Sequence, residues 1–536
     1  MQRVSMKATK RSRYSGTTAQ MTVAYPKTLN LAQYCLAKAA AATPGKAALL
    51  VTSDVETGAP SETWTYAALE DAVLRLAGAL ADSGLVPGER VLIRLDNTST
   101  FPILYFACMA AGLVAVPASS QLTPGEADFL LHDSGARLVA LAAHLPGSAM
   151  ANPAAVVSED GIRDMIRNGR RADYATTAAN DPAYLLYTSG TTASPKGVVH
   201  AHRVGPGRSP TYQGWYGITP NDRMLHAGAF NWTYTLGTGL IDPWANGATS
   251  IIFSGEKKPE VWPSLIRATG ATLFAAVPSL VRQILKYAAP GPLDLGQLRH
   301  ALIAGERPPE DLFDNWRDRT GTDLYEALGM SEISTYVSTS PTVPRKPGTA
   351  GKPQPGRRIV ILPVEGGETP LSPGEEGLIA IHRTDPGLML GYWNRPEEET
   401  SVYRGDWFLG GDLGIVDDDG YITHTGRAND VMKAFGYRVS PQEVEAVIAQ
   451  CPGVAEVACA EVQVRSDVSV IGAFVVRKAG STVNAAAIEQ FFAARLAPYK
   501  HPREIVFLDA LPRTANGKVR RNALAALRIF SIVTKI

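Results

Sequence analysis

The chain has 536 residues, long for one core and suited to a few domains. Its 52 Lys and Arg balance 51 Asp and Glu, so the formal charge is +1 and no general electrostatic drive toward nucleic acid or an anionic membrane is expected. With 45% hydrophobic and 19% charged residues, the composition is globular and excludes a fibrous, disulfide-stapled or disordered protein.

Residues 1–24 open the chain with a basic, acid-free tail carrying Arg3, Lys7, Lys10, Arg11 and Arg13. It lacks the apolar stretch of a secretory signal, so a disordered or artefactual leader is expected, with Met21 as the natural start; a transit peptide is the alternative. From about Thr28 to Thr425, helical windows alternate with short β-rich runs. Thr65 to Gly84 sets Leu69, Val73, Leu76 and Leu80 at helical spacing, with Gly84 as a stop, and Val91 to Leu95 follows as a strand. Ile103 to Ala118 is uncharged but too short for a membrane span and contains Pro117; it predicts a buried helix running into a buried strand. Similar alternations follow at Glu126–Ser134 into LVALAA and at Trp262–Ala268 into TLFAAV. Alternation of this kind predicts α/β layers with mostly parallel sheets.

Near Arg358 the pattern changes: RIVIL and GLIAIH, joined by a Gly-, Pro- and Glu-rich turn, read as an antiparallel pair. Beyond Gly426 the sequence predicts a compact α+β unit. It comprises the helix PQEVEAVIAQC, the strands VAEVACAEVQV and VIGAFVV, a helix over 484–496 and the strand EIVFL. A domain boundary is placed near Asn429. The cysteines Cys35, Cys108, Cys451 and Cys459 form no CxxC pair, which fits a reducing compartment. The nine histidines show no HExxH, so no protein-ligated transition metal is predicted.

One loop carries clear chemistry. In AYLLYTSGTTASPKG an apolar strand ends at Tyr187 and opens into Thr188, Ser189, Gly190, Thr191 and Thr192, followed by Lys196. Small hydroxylated residues let N–H and O–H donors converge on phosphate oxygens, and a lysine adds charge. The order differs from a P-loop, in which Lys follows Gly and a hydroxyl comes next; here Gly197 follows Lys196.

With this loop and four further motifs in order, the sequence resembles the adenylate-forming superfamily of acyl-CoA synthetases, nonribosomal adenylation domains and beetle luciferases. The resemblance runs from about Leu29 to Leu527. It implies a large layered α/β N-terminal domain (25–428) with a small β-barrel-like subdomain, and a small mobile α+β C-terminal domain (430–536). LIAGERPPE supplies the expected adenine-contacting backbone at Gly305, Glu306 and Arg307. In LYEALGMSE, the segment Glu326, Ala327, Leu328, Gly329 and Ser331 is implied to contact nucleotide. Glu332 falls on the position that holds Mg²⁺, a hard cation content with one carboxylate plus phosphate oxygens. Leu328 stands where an aromatic often packs on adenine, and Ser331 replaces a Thr.

Asp412 of WFLGGDLG matches the carboxylate that accepts the ribose hydroxyls, and Arg427 resembles a second ribose contact. Asn429 sits at the hinge. Lys433, with Phe435, Gly436 and Tyr437, matches positions facing the site during thioester formation, and Tyr499, Lys500 and His501 resemble a CoA-contacting stretch. Lys518 of PRTANGKVRR matches the catalytic lysine. Phe230, Trp232 and Tyr234 are candidate acyl-pocket walls. Gly329 replaces the Trp that closes the pocket of acetate-specific relatives, so a medium-chain or aromatic acid is expected.

The resemblance therefore implies a cytoplasmic ligase using ATP, Mg²⁺ and coenzyme A on a small carboxylic acid. No nucleic-acid partner and no transmembrane segment are expected, and a homodimer is compatible with it. The alternative is a stand-alone adenylation enzyme loading a carrier protein. Against that alternative, the chain runs only to Ile536, and the pocket segment has no obvious Asp to hold an α-amine.

Overall fold

The computed structural model describes residues 23–145, 155–188, 195–305, 308–428, 432–434, 437–439, 441–465, 468–512, 519 and 521–527. The helical spacing of Leu69, Val73, Leu76 and Leu80 becomes the helix Tyr66–Asp82, which buries all four. Thr65 caps it by accepting the Ala68 N–H, and Gly84 follows at φ +89°. The uncharged stretch becomes the helix Thr100–Ala110, buried at every residue, and then the strand Val114–Pro117. Among the described residues no helix is long and apolar enough to cross a membrane.

Two large sheets and three small ones organise the chain. The first has seven strands in the order Gly391–Tyr392, Lys196–Ala201, Pro182–Thr188, Val114–Pro117, Arg90–Arg94, Leu138–Leu141 and Ala155–Ser158. The second has nine, running from Lys352–Pro353 through Ser334–Ser338, Asp323–Met330, His300–Ala304 and Leu273–Ala276 to Arg223–His226, Thr249–Phe253, Ala47–Thr52 and Glu62–Thr65. Their interiors are parallel, as the alternation predicts. Each turns antiparallel at a side, at Pro182–Thr188 with Lys196–Ala201 and at Asp323–Met330 with Ser334–Ser338; the nine-stranded sheet does so again at its far edge, Ala47–Thr52 with Glu62–Thr65. A parallel neighbour needs a long crossover, whereas an antiparallel one needs only a turn, so these are the places where a short loop can sit at a sheet end.

Ile359–Leu362 and Glu376–His382 form the expected antiparallel pair, extended by Trp407–Val416, Tyr403–Arg404 and Ile422–Arg427 into a five-stranded sheet. After it, Met432–Ala434 pairs with Tyr437–Val439. The antiparallel strands Val454–Arg465 and Val468–Arg477 are joined in parallel by Glu504–Phe507. The helices Pro441–Ile448 and Ala485–Ala493 cover that sheet through Val444, Ile448, Ile488 and Phe492. The second helix ends at Ala493, three residues short of the predicted Leu496; it is capped by Asn484, whose side chain accepts the Ala487 N–H.

Candidate active site

The ends of the two antiparallel strand pairs line one cavity of about 470 Å³. Thr188 and Lys196 pair across the first hairpin and both line it. The residues between them that the sequence nominates (Ser189, Gly190, Thr191 and Thr192) lie outside the described residues, as do Glu306, Arg307, Asn429, Phe435, Gly436 and Lys518. Lys196 is largely enclosed and pairs with Glu398 on the short helix Pro396–Ser401. Burial pulls its ammonium below the ordinary lysine value; Glu332 opposes that pull and Arg395 adds to it.

The second turn presents Ser331 and Glu332 to the same cavity. Its shape is enforced from several sides. Ser334 adopts φ +74°, a left-handed conformation costly for a residue with a Cβ. The guanidinium of Arg208 donates to the Ser334 hydroxyl and grips Asp242 at 2.7 and 2.6 Å, with Arg208 1% and Asp242 0% exposed. His200 bonds the Ser331 carbonyl at 2.7 Å, and the Met389 N–H donates to the Glu332 carbonyl at 2.7 Å. The Tyr392 hydroxyl donates to Glu332 Oε1 at 2.8 Å. Among the described residues no group of three His, Cys, Asp or Glu gathers for a metal. A cation here would be held by Glu332 and its partners' phosphates, which suits Mg²⁺ and its preference for few protein ligands.

Gly305, at φ +96°, lines the cavity after the strand His300–Ala304. Gly329 lines it too. A Cβ there would meet the Ser334 carbonyl oxygen at 2.5 Å and the Thr335 Cα at 2.9 Å, so this glycine is required by the close approach of two strands as well as leaving the pocket open. Glu326, Ala327 and Leu328 precede it on the strand Asp323–Met330, off the cavity lining; Glu326 is buried and its N–H donates to Thr339 Oγ1 at 2.9 Å. Asp412 is buried on Trp407–Val416, with His424 Nε2 3.2 Å away and the backbone of Arg427 opposite it across the sheet; its neighbours Gly410 and Gly411 form the wall.

On the apolar side, Trp232 and Tyr234 line the cavity. Tyr234 shares its hydroxyl between the Ala276 and Leu302 carbonyls at 3.1 and 3.2 Å, which fixes its ring. Phe230 corrects the expectation: it is 4% exposed, packs on Phe101 at 5.2 Å between ring centres and belongs to the core. Tyr437 meets Trp232 edge-on at 4.8 Å and stacks on Tyr499 at 4.0 Å, so two aromatics of the C-terminal unit complete the wall. Lys433 lies on the strand Met432–Ala434, opposite Arg438.

A second cavity of about 280 Å³ shares Tyr187, Thr188, Asn231 and Tyr499 with the first. Of the three residues at 499–501, Tyr499 lines both cavities and Lys500 lines the second. The Lys500 ammonium pairs with Glu126 and Glu443 at 3.0 and 2.6 Å. His501 Nε2 donates to the Leu496 carbonyl at 2.8 Å, with its ring on Phe492. Residues that sequence reasoning did not nominate are Tyr392, Asn231, Tyr187 and Glu398. Tyr392 and Glu398 lie within the stretch GYWNRPEEE, whose Gly-aromatic and Pro signals mark a turn but give no direction.

Residues 36–393 match the AMP-binding enzyme family, and residues 443–518 match the AMP-binding enzyme C-terminal domain. The chain belongs to the AMP-binding enzyme family. Among its relatives, 3-hydroxybenzoate–CoA ligase of Aromatoleum sp. (strain CIB) is 32% identical over 86% of this chain and 91% of its own length. Benzoate–CoA ligase of Thauera aromatica is 32% identical over 85% and 90%. Among solved structures, o-succinylbenzoate CoA synthetase from Bacillus subtilis, bound with a product analogue, superposes with a TM-score of 0.82 at 27% identity, covering 93% of this chain and 98% of that one. Within this family the chain is an acid–thiol ligase with ATP, Mg²⁺ and CoA as its small-molecule requirements.

Proposed function

We propose that this ligase activates an aromatic or medium-chain carboxylic acid as its acyl-adenylate and transfers the acyl group to CoA. The observation that carries the reading is the single cavity joining Thr188, Lys196, Gly305 and Glu332 to an aromatic wall of Trp232, Tyr234 and Tyr437. In the first half-reaction the carboxylate oxygen attacks the α-phosphorus in line and pyrophosphate leaves. An anion must approach a polyanion, so the barrier is chiefly electrostatic. Thr188 and Lys196 would donate to phosphate oxygens, with Lys518 as a further cation, and Glu332 would hold Mg²⁺, whose charge offsets that of the phosphates. Asp412 and Arg427 would serve the ribose.

In the second half-reaction the CoA sulfur attacks the acyl carbon, the C–O bond to AMP breaks and the thiol proton is lost. The shared wall between the cavities supports a path for the thiol past Tyr499. Lys433 and Gly436 would flank that path, and Asn429 would be the hinge between residues 25–428 and 430–536 that exchanges Lys518 for them. The relatives' benzoate and hydroxybenzoate substrates favour an aromatic acid, and CoA rather than a carrier protein as acceptor. We place the enzyme in the cytoplasm, where ATP and CoA are available.

Acid-dependent ATP–pyrophosphate exchange over benzoate, 3-hydroxybenzoate, hexanoate, octanoate, propionate and acetate, followed by thioester detection, tests this directly. Benzoates or six- to eight-carbon acids should lead. A preference for acetate or propionate would overturn the pocket assignment, and exchange without CoA thioester would favour a carrier protein.

A further inference from the structure

Three charged side chains, distant in sequence, are buried together where the C-terminal unit meets the large one. Lys500 is 3% exposed, and its ammonium donates to Glu443 Oε1 at 2.6 Å and to Glu126 Oε1 at 3.0 Å. Glu443 belongs to the helix Pro441–Ile448 of the small unit, whereas Glu126 begins the helix Pro124–Ser134 beside the seven-stranded sheet. Glu126 is divided between the two units. Its Oε2 accepts the Thr123 N–H at 2.9 Å and the Thr123 hydroxyl at 3.0 Å, completing a capping box on its own helix. Its Oε1 accepts Lys500 and also the Ala497 N–H at 3.1 Å.

Two carboxylates therefore surround one ammonium away from water. Burial is the chief cause that pushes the Glu443 carboxyl up, the Glu126 carboxylate adds to it, and Lys500 opposes both. On Lys500 burial disfavours the charge, yet Tyr499, Glu443 and Glu126 outweigh it and hold the ammonium above its ordinary range. Such clusters are poor adhesives, because apolar residues of the same volume usually stabilise as well; their use is to make one geometry of docking much better than its neighbours. Here the geometry fixed is that of Ala497 to Lys500, the stretch that brings Tyr499 onto Tyr437 and so sets the wall shared by the two cavities.

We propose that Glu126 is a positioning residue for thioester formation, holding Ala497 and Lys500 so that Tyr499 and Tyr437 stand in register beside Trp232 when the thiol arrives. This rests on the two-step ligase reading above. The proposal assigns this register to the thiol step, so comparing the two half-reactions separates the effect from general damage.

Glu126→Gln is the informative variant, since Gln at the third helical position preserves the capping box while removing the charge that faces Lys500. In the full-length enzyme, acid-dependent exchange is expected to stay within about twofold, while thioester formation from supplied acyl-adenylate at saturating CoA falls about tenfold with little change in the KM for CoA. Lys500→Met should slow the same step, and the double variant should be no slower than the worse single one. Equal loss in both half-reactions, a loss seen only as a raised KM for CoA, or no loss at all overturns the assignment. Absence of thioester formation in the unsubstituted enzyme overturns both this and the ligase reading, and is seen before any variant is compared.

Discussion

Glu332 owes its placement to neighbours on several elements. The Met389 N–H holds its carbonyl, the Tyr392 hydroxyl orients one carboxylate oxygen, and the Arg208–Asp242 pair braces Ser334 two residues on. Removing the carboxylate charge should therefore abolish function without unfolding the protein. Glu332→Gln is expected to lower acid-dependent pyrophosphate exchange by on the order of a hundredfold, the scale of a lost electrostatic stabiliser, with the melting temperature unchanged. Tyr392→Phe removes only the orienting bond and should raise the KM for Mg·ATP about tenfold, the scale of a hydrogen bond to a charged group, as steady-state kinetics would show. Lys196 offers a contrasting case. Its partner Glu398 is one-quarter exposed, and phosphate oxygens would compete for the same ammonium. Glu398→Gln should lower the KM for ATP by about threefold or less, because a partly solvated pair is worth little; a raised KM would mean that Glu398 assists nucleotide binding instead.

At the scale of elements, the Asp323–Met330 and Ser334–Ser338 strands show what one atom decides. A Cβ at Gly329 would sit 2.5 Å from a backbone oxygen, so Gly329→Ala must prise the two strands apart and move Glu332 with them. Loss of stability of about 1–3 kcal/mol in denaturant unfolding is expected, together with a raised KM for ATP. Simple narrowing of the acyl pocket would instead change the acid preference and leave ATP binding alone. The glycine's place in the motif was legible in the sequence; the strand crossing that demands it was not. The same division recurs. The helix Tyr66–Asp82, the strand that runs into Thr188 and the place of Glu332 beside the cavity follow from periodicity or ordered motifs, which are local signals. Phe230 and Trp232 lie two residues apart in a loop without period, so only tertiary packing sends one to Phe101 and the other to the cavity. The pairing of Lys500 with Glu126, hundreds of residues earlier, leaves no trace in the local text. Arg208 and Asp242 are invisible for the same reason, although they support the very turn the motif identifies.

Over the whole molecule, two tests reach beyond any one site. Lys518→Ala should cut adenylation by about a hundredfold or more and spare thioester formation from supplied acyl-adenylate, if the halves of the reaction use opposite faces of the small unit. An equal fall in both would sink that division. The second test concerns stability. His200, His202, His226 and His300 are buried, with burial the chief cause that depresses them to about 4, 4, 3 and 4, and the nearby Arg299 adding to the effect at His300. All four are neutral in the folded protein at pH 7. In the unfolded chain each regains its ordinary value near 6.5, so below that pH the unfolded state binds more protons than the folded one. Their contribution is fully present above about pH 6.5 and is lost as the pH falls toward the folded values, with a slope of up to about 1.4 kcal/mol per pH unit for each imidazole. Between pH 6.5 and 5, carboxylates contribute less, so the imidazoles should dominate. His300 donates to the Tyr216 carbonyl at 2.9 Å, a bond that Gln can replace in kind. His300→Gln should therefore make chemical unfolding free energies measured from pH 7 to 5 less steep by roughly the share of one imidazole, on the order of 1 kcal/mol over that span. An unchanged slope would mean that His300 takes up its proton in the folded state as readily as in the unfolded one.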